Sequence, residues 1–350
     1  MKLSEPVIRL QGVWKIFGAR VEDAMQAITQ EDLTKTEALE RFGCVVGIAD
    51  CSFEVPRGEI FCVMGLSGSG KSTMVRHINR LIEPTAGRIE VLGRDVLALG
   101  EGELRKLRAA QIGMVFQHMA LFPHRTVRDN VAFPLQVQGL PKANRWEVSQ
   151  RCLNLVNLDG YEDRFPSELS GGMQQRVGLA RALASDPEIL LMDEPFSALD
   201  PLIRRRLQEQ FMSLSAELNK TTVFITHDLD EAIRIGSRIA IMNDGRIVQI
   251  GTPEEIVTNP IDDYVRDFVE GISTLKLVFA HTIMKRIAEY KPRPDEDLER
   301  APRAAHDVDL SELIDVSIAT DQPIVITHGG TDVGVIDKTT LLHGIKGGKD

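Results

Sequence analysis

Residues 65–73 read Gly-Leu-Ser-Gly-Ser-Gly-Lys-Ser-Thr, directly after the apolar run Ile60–Met64 and just ahead of a helical pattern from Ser72 to Leu81. An apolar run that stops at glycines and then opens a helix describes a buried parallel strand, a tight loop and a helix N-terminus. The nine residues fill every required position of a phosphate-binding P-loop. Triphosphate oxygens are densely charged, so they need backbone N–H groups in a concave arc, a helix N-terminus behind them and a cation in front. Gly65, Gly68 and Gly70 permit that arc, because a side chain there blocks the approach or the positive φ. Lys71 is placed for the β and γ phosphates and the Ser72 hydroxyl for Mg²⁺. Leu66, Ser67, Ser69 and Thr73 complete the nucleotide-binding stretch.

Other properties narrow the class. The 350 residues suffice for two domains, or one large domain with an appendage. A formal net charge of −10 argues against general nucleic-acid binding, which needs a basic surface. No run approaches eighteen apolar residues, and Met1–Leu10 lacks a signal-peptide core, so the expected protein neither spans a membrane nor is exported. Cys44, Cys51, Cys62 and Cys152 show no Cys-x-x-Cys spacing and read as reduced structural thiols.

Along the chain, Val7–Trp14 alternates as a half-exposed strand, residues 19–46 read as one or two short surface helices, and Ile48–Val55 is a strand. Arg88–Leu92 and Ile112–Phe116 are further strand candidates, the second running straight into Gln117. Residues 118–166 turn helical and loop-rich, as an inserted helical subdomain would. Leu169-Ser170-Gly171-Gly172-Met173-Gln174-Gln175-Arg176 opens the next helix with a glycine-rich start that can face an anion. Ile189–Met192 is an apolar strand ending in Asp193-Glu194. Asp200-Pro201 caps a helix, and Thr222–Thr226 is another buried strand, ending at His227. Arg238–Met242 and Arg246–Ile250 form a hairpin across Asp244-Gly245. Past Gly271 the composition shifts: Thr274–Tyr290 can be helical, 291–309 is rich in proline and charge like a linker, and 310–345 returns to short apolar runs and a last helix.

Four strands thus deliver polar groups to one sheet edge, where open α/β sheets bind ligands. Asp193 is the natural partner of a Mg²⁺ held by Ser72, with Gln117 and His227 on the same edge, one able to sense the metal or water and the other the γ phosphate; Glu194 is the candidate base or water-positioning group, with Lys71 beside it. In these motifs the sequence closely resembles the ATP-hydrolysing subunit of an ABC transporter over residues 7–270. The resemblance assigns Phe17 as the base-stacking aromatic, Gly65–Thr73 as Walker A, Gln117 as the Q-loop and Leu169–Gln174 as the signature. It assigns Asp193-Glu194 as Walker B, Ser197–Asp200 as the D-loop and His227 as the switch histidine. It implies that two copies sandwich two ATP molecules, with Ser170, Gly171, Gly172, Gln174 and Asp200 of one copy reaching the nucleotide of the other.

The insert between Phe17 and Ile48, the run Met64–Arg76, Ala198–Arg204 and His227–Ala232 make the chain more similar still to ATPase subunits of glycine betaine, proline and choline importers. This resemblance implies ATP and Mg²⁺ as cofactors, and as partners a second copy, a transmembrane permease and, indirectly, a substrate-binding protein, with no nucleic acid. It places the subunit peripherally on the cytoplasmic face of the membrane. The expected fold is α/β: a P-loop NTPase core of the ABC ATPase type over 1–271 with the helical subdomain, a helix and linker over 272–309, and a single CBS-like unit over 310–350. A histidine/proline-type importer and a non-transport ABC ATPase share the motor motifs, and both stay open.

Overall fold

A computed structural model describes residues 5–31, 33–117, 120–197, 199–270, 275, 277–294 and 296–346. The chain divides into two compact units, Met1–Ile250 and Gly251–Asp350.

The first unit begins with β1 (Pro6–Phe17), helices α1 (Val21–Glu31) and α2 (Lys35–Phe42), and β2 (Val45–Pro56). Thr34 and Glu37 close a capping box on α2, and Gly43 ends it in the left-handed region at φ 64°. There follow β3 (Ile60–Met64), α3 (Lys71–Ile78), β4 (Ala86–Val91), β5 (Arg94–Asp95), α4 (Glu101–Ala110) and β6 (Ile112–Val115). The helical stretch contains α5 (Val127–Val131), α6 (Phe133–Val137), α7 (Lys142–Leu155) and α8 (Gly171–Ala184). The unit ends with β7 (Ile189–Asp193), α9 (Pro201–Glu217), β8 (Thr221–Ile225), α10 (Leu229–Ile235), β9 (Arg238–Asn243) and β10 (Arg246–Gly251).

Two sheets result, of order β2-β1-β4-β5 and β10-β9-β3-β8-β7-β6. In the larger one β9, β3, β8, β7 and β6 run parallel, which forces every loop after β3, β6, β7 and β8 onto the same edge. Strands covered on both faces need continuous apolar runs, and β7 and β8 are buried throughout. One apolar cluster draws on both sheets, joining Ile8 and Leu10 of β1 to Val63, Leu191 and Val223, with the Phe53 and Phe61 rings stacked at 5.0 Å. Asp244 and Gly245 both have positive φ, as a two-residue hairpin turn demands. Cys44, Cys51, Cys62 and Cys152 are free and buried; burial pushes the thiols of Cys51 and Cys152 up to about 12 and about 11.

The second unit differs from the sequence expectation. Helices α11 (Pro253–Thr258) and α12 (Asp263–Val269) belong to it, so the division falls at 250/251 rather than 271. Glu254 explains part of this, since its carboxylate accepts from the backbone N–H of Phe279. Within 274–290 the described helix is only α13 (Ala280–Ile283), followed by β11 (Lys285–Arg286). The proline-rich stretch is no linker throughout: β12 (Arg303–Ala305) pairs in parallel with β13 (Ile324–His328), which in turn pairs with β14 (Thr331–Ile336). Helix α14 (Leu310–Ile318) absorbs the apolar run at 316–319, because Asp309 caps its first turn by accepting from Glu312 N. Helix α15 (Lys338–Lys346) closes the unit. Val278, Leu310, Leu313, Ile326 and Ile336 share its core.

Candidate functional site

The loop between β3 and α3 is shaped for close approach. A Cβ on Gly65 (φ +151°) would lie 2.2 Å from the Met242 carbonyl oxygen, and one on Gly70 (φ +99°) 2.4 Å from the Gly47 carbonyl oxygen. Gly70 is the N-cap of α3 and offers no side chain to its first turn, so those amides are open to an anion. Ser69 Oγ is buried without a hydrogen-bond partner, a polar atom that a phosphate oxygen would satisfy. Lys71 is buried too, its Nζ donating to the carbonyls of Gly65 (2.8 Å) and Leu66 (2.9 Å). Burial draws its ammonium below the usual lysine range, against the pull of the Glu194 and Asp193 carboxylates. These features fit a triphosphate.

Asp193 ends β7 fully buried, accepting from Ser72 Oγ at 2.8 Å and from an Arg76 guanidinium nitrogen at 3.3 Å. Arg76 carried no role in the sequence reading; its place one turn beyond Ser72 on α3 was the available signal. An alcohol with a carboxylate behind it suits a hard cation that also takes phosphate and water oxygens. No cluster of three or more His, Cys, Asp or Glu side chains could hold a metal by itself among the described residues.

Glu194 leaves the strand with φ +47°, a conformation a non-glycine residue keeps only where its surroundings impose it. Its N–H donates to the Ile225 carbonyl at 3.1 Å, tying the turn to β8. Gln117 Nε2 donates to Glu194 Oε2 at 3.3 Å, and His227 Nδ1 lies 3.0 Å from the same oxygen. The loops after β6, β7 and β8 therefore meet on a single carboxylate oxygen. His227 stays well exposed, with 62% of its side chain accessible. Glu194 is thus a base held by two neighbours beside the phosphate loop, an arrangement able to orient water for attack on a terminal phosphate.

The remaining predicted residues lie apart from this constellation. Phe17 ends β1, the residue 41% exposed and the Lys15 ammonium 5.0 Å from its ring centroid. Ser170 caps α8, accepting from Met173 N, and Gly172 approaches Leu199 so closely that a Cβ would meet Leu199 Cδ2 at 2.8 Å. The Gln174 side chain donates to the carbonyls of Pro166 and Leu169, which commits its amide nitrogen to its own loop. Asp200 caps α9. Ala198, within the predicted D-loop, lies outside the described residues. A cleft of about 410 Å³ beside Gln117 is lined by Phe116, Phe122, Phe133 and Val137 and bordered by Arg105 and Arg181.

With this geometry in hand, comparison with known proteins gives a consistent answer. The family profile "ABC transporter" matches residues 48–197. The glycine betaine transport ATP-binding protein OpuAA of Bacillus subtilis is 51% identical over 298 residues, covering 85% of this chain and 70% of that protein. The trimethylamine N-oxide transport system ATP-binding protein TmoW of Pelagibacter ubique is 42% identical across 97% of this chain and 98% of its own. A solved dimeric ATP-binding cassette, in a post-hydrolysis state bound to ADP and Pi, superposes with a TM-score of 0.61 at 31% identity over 70% of this chain and 98% of its own.

Proposed function

This chain belongs to the ATP-binding subunits of ABC transporters, and from that premise we propose that it is the motor of an importer for a quaternary amine or related osmolyte. The observation that carries the motor reading is the convergence of Gln117 and His227 on Glu194 Oε2, next to a phosphate loop. The substrate class rests on relatives whose names specify glycine betaine and trimethylamine N-oxide transport. A histidine/proline-type importer is the alternative.

In this reading Ser72, Gln117 and Asp193 would hold Mg²⁺, which would offset negative charge on the phosphates. Lys71 and the amides at the start of α3 bind the phosphates. Glu194 accepts a proton from the attacking water while the water oxygen bonds to the γ phosphorus and the bond from that phosphorus to the bridging oxygen breaks, leaving ADP and phosphate. His227 holds Glu194 on one side and reaches the γ phosphate on the other. Ser170, Gly171, Gly172, Gln174 and Asp200 serve the nucleotide of a second copy. The dimeric ADP-bound relative supports such an assembly.

No helix among the described residues is long and apolar enough to cross a membrane. The proposed place is therefore peripheral, on the cytoplasmic side of a permease, whose docking helix takes the cleft at Phe116, Phe122, Phe133 and Val137. Phe116 lines that cleft and its chain neighbour Gln117 touches the catalytic carboxylate, so docking and chemistry are one residue apart. Reconstitution with a quaternary-amine permease and its binding protein should give ATP hydrolysis that rises on adding glycine betaine, with crosslinks from Phe122 to the permease. Hydrolysis indifferent to every quaternary amine sinks the substrate class; crosslinks only on other faces sink the docking site.

The tail past Gly271 is proposed as dispensable for hydrolysis, its CBS-like part over 310–350 pairing with its counterpart on the other copy. Deleting it and following transport-coupled hydrolysis across a salt series separates a sensor from a clamp. An unchanged salt profile excludes sensing, and activity lost at every salt excludes dispensability.

A further inference from the structure

We propose that Gly47 is a nucleotide-positioning residue: it fixes the Phe17 ring relative to the phosphate loop, and through it the preference for a triphosphate that carries an aromatic base. The inference rests on the reading of Phe17 as the base platform.

Strands β1 and β2 pair Lys15 with Ile48 and Ile16 with Val46, so Gly47 is the extra residue of a bulge. Bulges re-aim side chains, and here the ring of Phe17 is the one affected. A Cβ on Gly47 would lie 2.8 Å from Phe17 Cε2 and 3.4 Å from Cδ2. Only a glycine leaves the ring where it is. The carbonyl of the same residue packs against the phosphate loop: a Cβ on Gly70 would come within 2.4 Å of it, and one on Gly245 within 2.6 Å. Gly245 N donates to the Ser69 carbonyl at 2.9 Å, and its own carbonyl accepts from Ala49 N at 2.8 Å, locking this junction to the loop. Residue 47 therefore touches the base end of the proposed site through its α-carbon and the phosphate end through its oxygen. Its φ lies outside the left-handed region, so alanine is compatible with the backbone, and the obstacle is the half-exposed ring, which can swing away. Gly47→Ala should displace the platform without unfolding the protein.

The test measures ATP and inorganic tripolyphosphate affinity on the full chain for Gly47→Ala, Phe17→Ala and the double variant, alongside thermal unfolding. Stacking of a base on an aromatic ring sets the expected loss of ATP affinity at about tenfold for each single variant. Tripolyphosphate affinity should not change, and the double variant should lose no more than Phe17→Ala alone. Equal loss for both ligands, additive losses, or a Gly47→Ala protein that does not fold each overturn the proposal. Loss in Phe17→Ala without loss in Gly47→Ala overturns it while sparing the base platform; no loss in Phe17→Ala removes the platform itself, and the inference with it.

Discussion

Glu194→Gln should lower ATP turnover by about 10²- to 10⁴-fold, the range a positioned general base contributes, while leaving ATP affinity near that of the parent. The amide keeps the size of the carboxylate and can still meet Gln117 and His227, but it cannot take a proton from water. Asp193, fully buried against Ser72 and Arg76, is untouched, so binding should survive. ATP bound but not cleaved should hold two copies together, and size-exclusion chromatography with ATP should show a dimer that the parent loses as it hydrolyses. Hydrolysis at the parental rate in the assembled transporter would remove Glu194 from the chemistry.

Why Glu194 could be singled out from sequence is a matter of strand physics. Parallel strands buried on both faces must be written as unbroken apolar runs, so Ile60–Met64, Ile112–Phe116, Ile189–Met192 and Thr222–Thr226 announce themselves, and the polar residues that follow them lie at the ligand-binding edge. Gln117, Asp193, Glu194 and His227 were legible for that reason, and Lys71 from the spacing of the P-loop. That Gln117 and His227 share one oxygen of Glu194 was not, because it depends on a positive φ at a residue whose type does not demand one. Gly47 was equally hidden: its need for glycine comes from Phe17, thirty positions earlier, and from a bulge in the ladder between them.

In the second unit the apolar runs within β13 and β14 are legible, whereas β11 and β12 are too short to carry a pattern. Lys285–Arg286 and Arg303–Ala305 find partners through tertiary contact, with β12 lying beside β13 in parallel, and neither shows alternation. A proline-rich, charged run carries no signal that separates a linker from an edge strand. Helix α14 did carry one, since Asp309 and Glu312 frame its first turn, but its short apolar segment at 316–319 is equally compatible with a strand. The boundary at 250/251 places α11 and α12 with the second unit, where the Glu254 carboxylate accepts from Phe279 N, a contact that composition does not signal.

Lys71→Ala should weaken ATP binding by about 10- to 100-fold, the loss expected when a charge-assisted hydrogen bond to phosphate is removed. The net change is smaller than a bare phosphate contact would suggest, because Lys71 already satisfies itself on the carbonyls of Gly65 and Leu66 and must exchange them for the ligand. Its pKa supplies a second, independent signature. Burial holds the ammonium below the ordinary lysine range, so in the free protein it loses its proton at a lower pH than an exposed lysine does. Bound phosphate favours the charged form, which raises the pKa in the complex. The sign follows from linkage: affinity is fully developed below the free-state pKa and declines as pH rises through and beyond it. ATP affinity measured by calorimetry across an alkaline series should therefore fall in the parent and stay flatter in Lys71→Ala. Identical slopes in the two proteins would mean that another group titrates at the phosphates. An unchanged affinity at neutral pH would mean that Lys71 keeps to its loop carbonyls when the nucleotide is present.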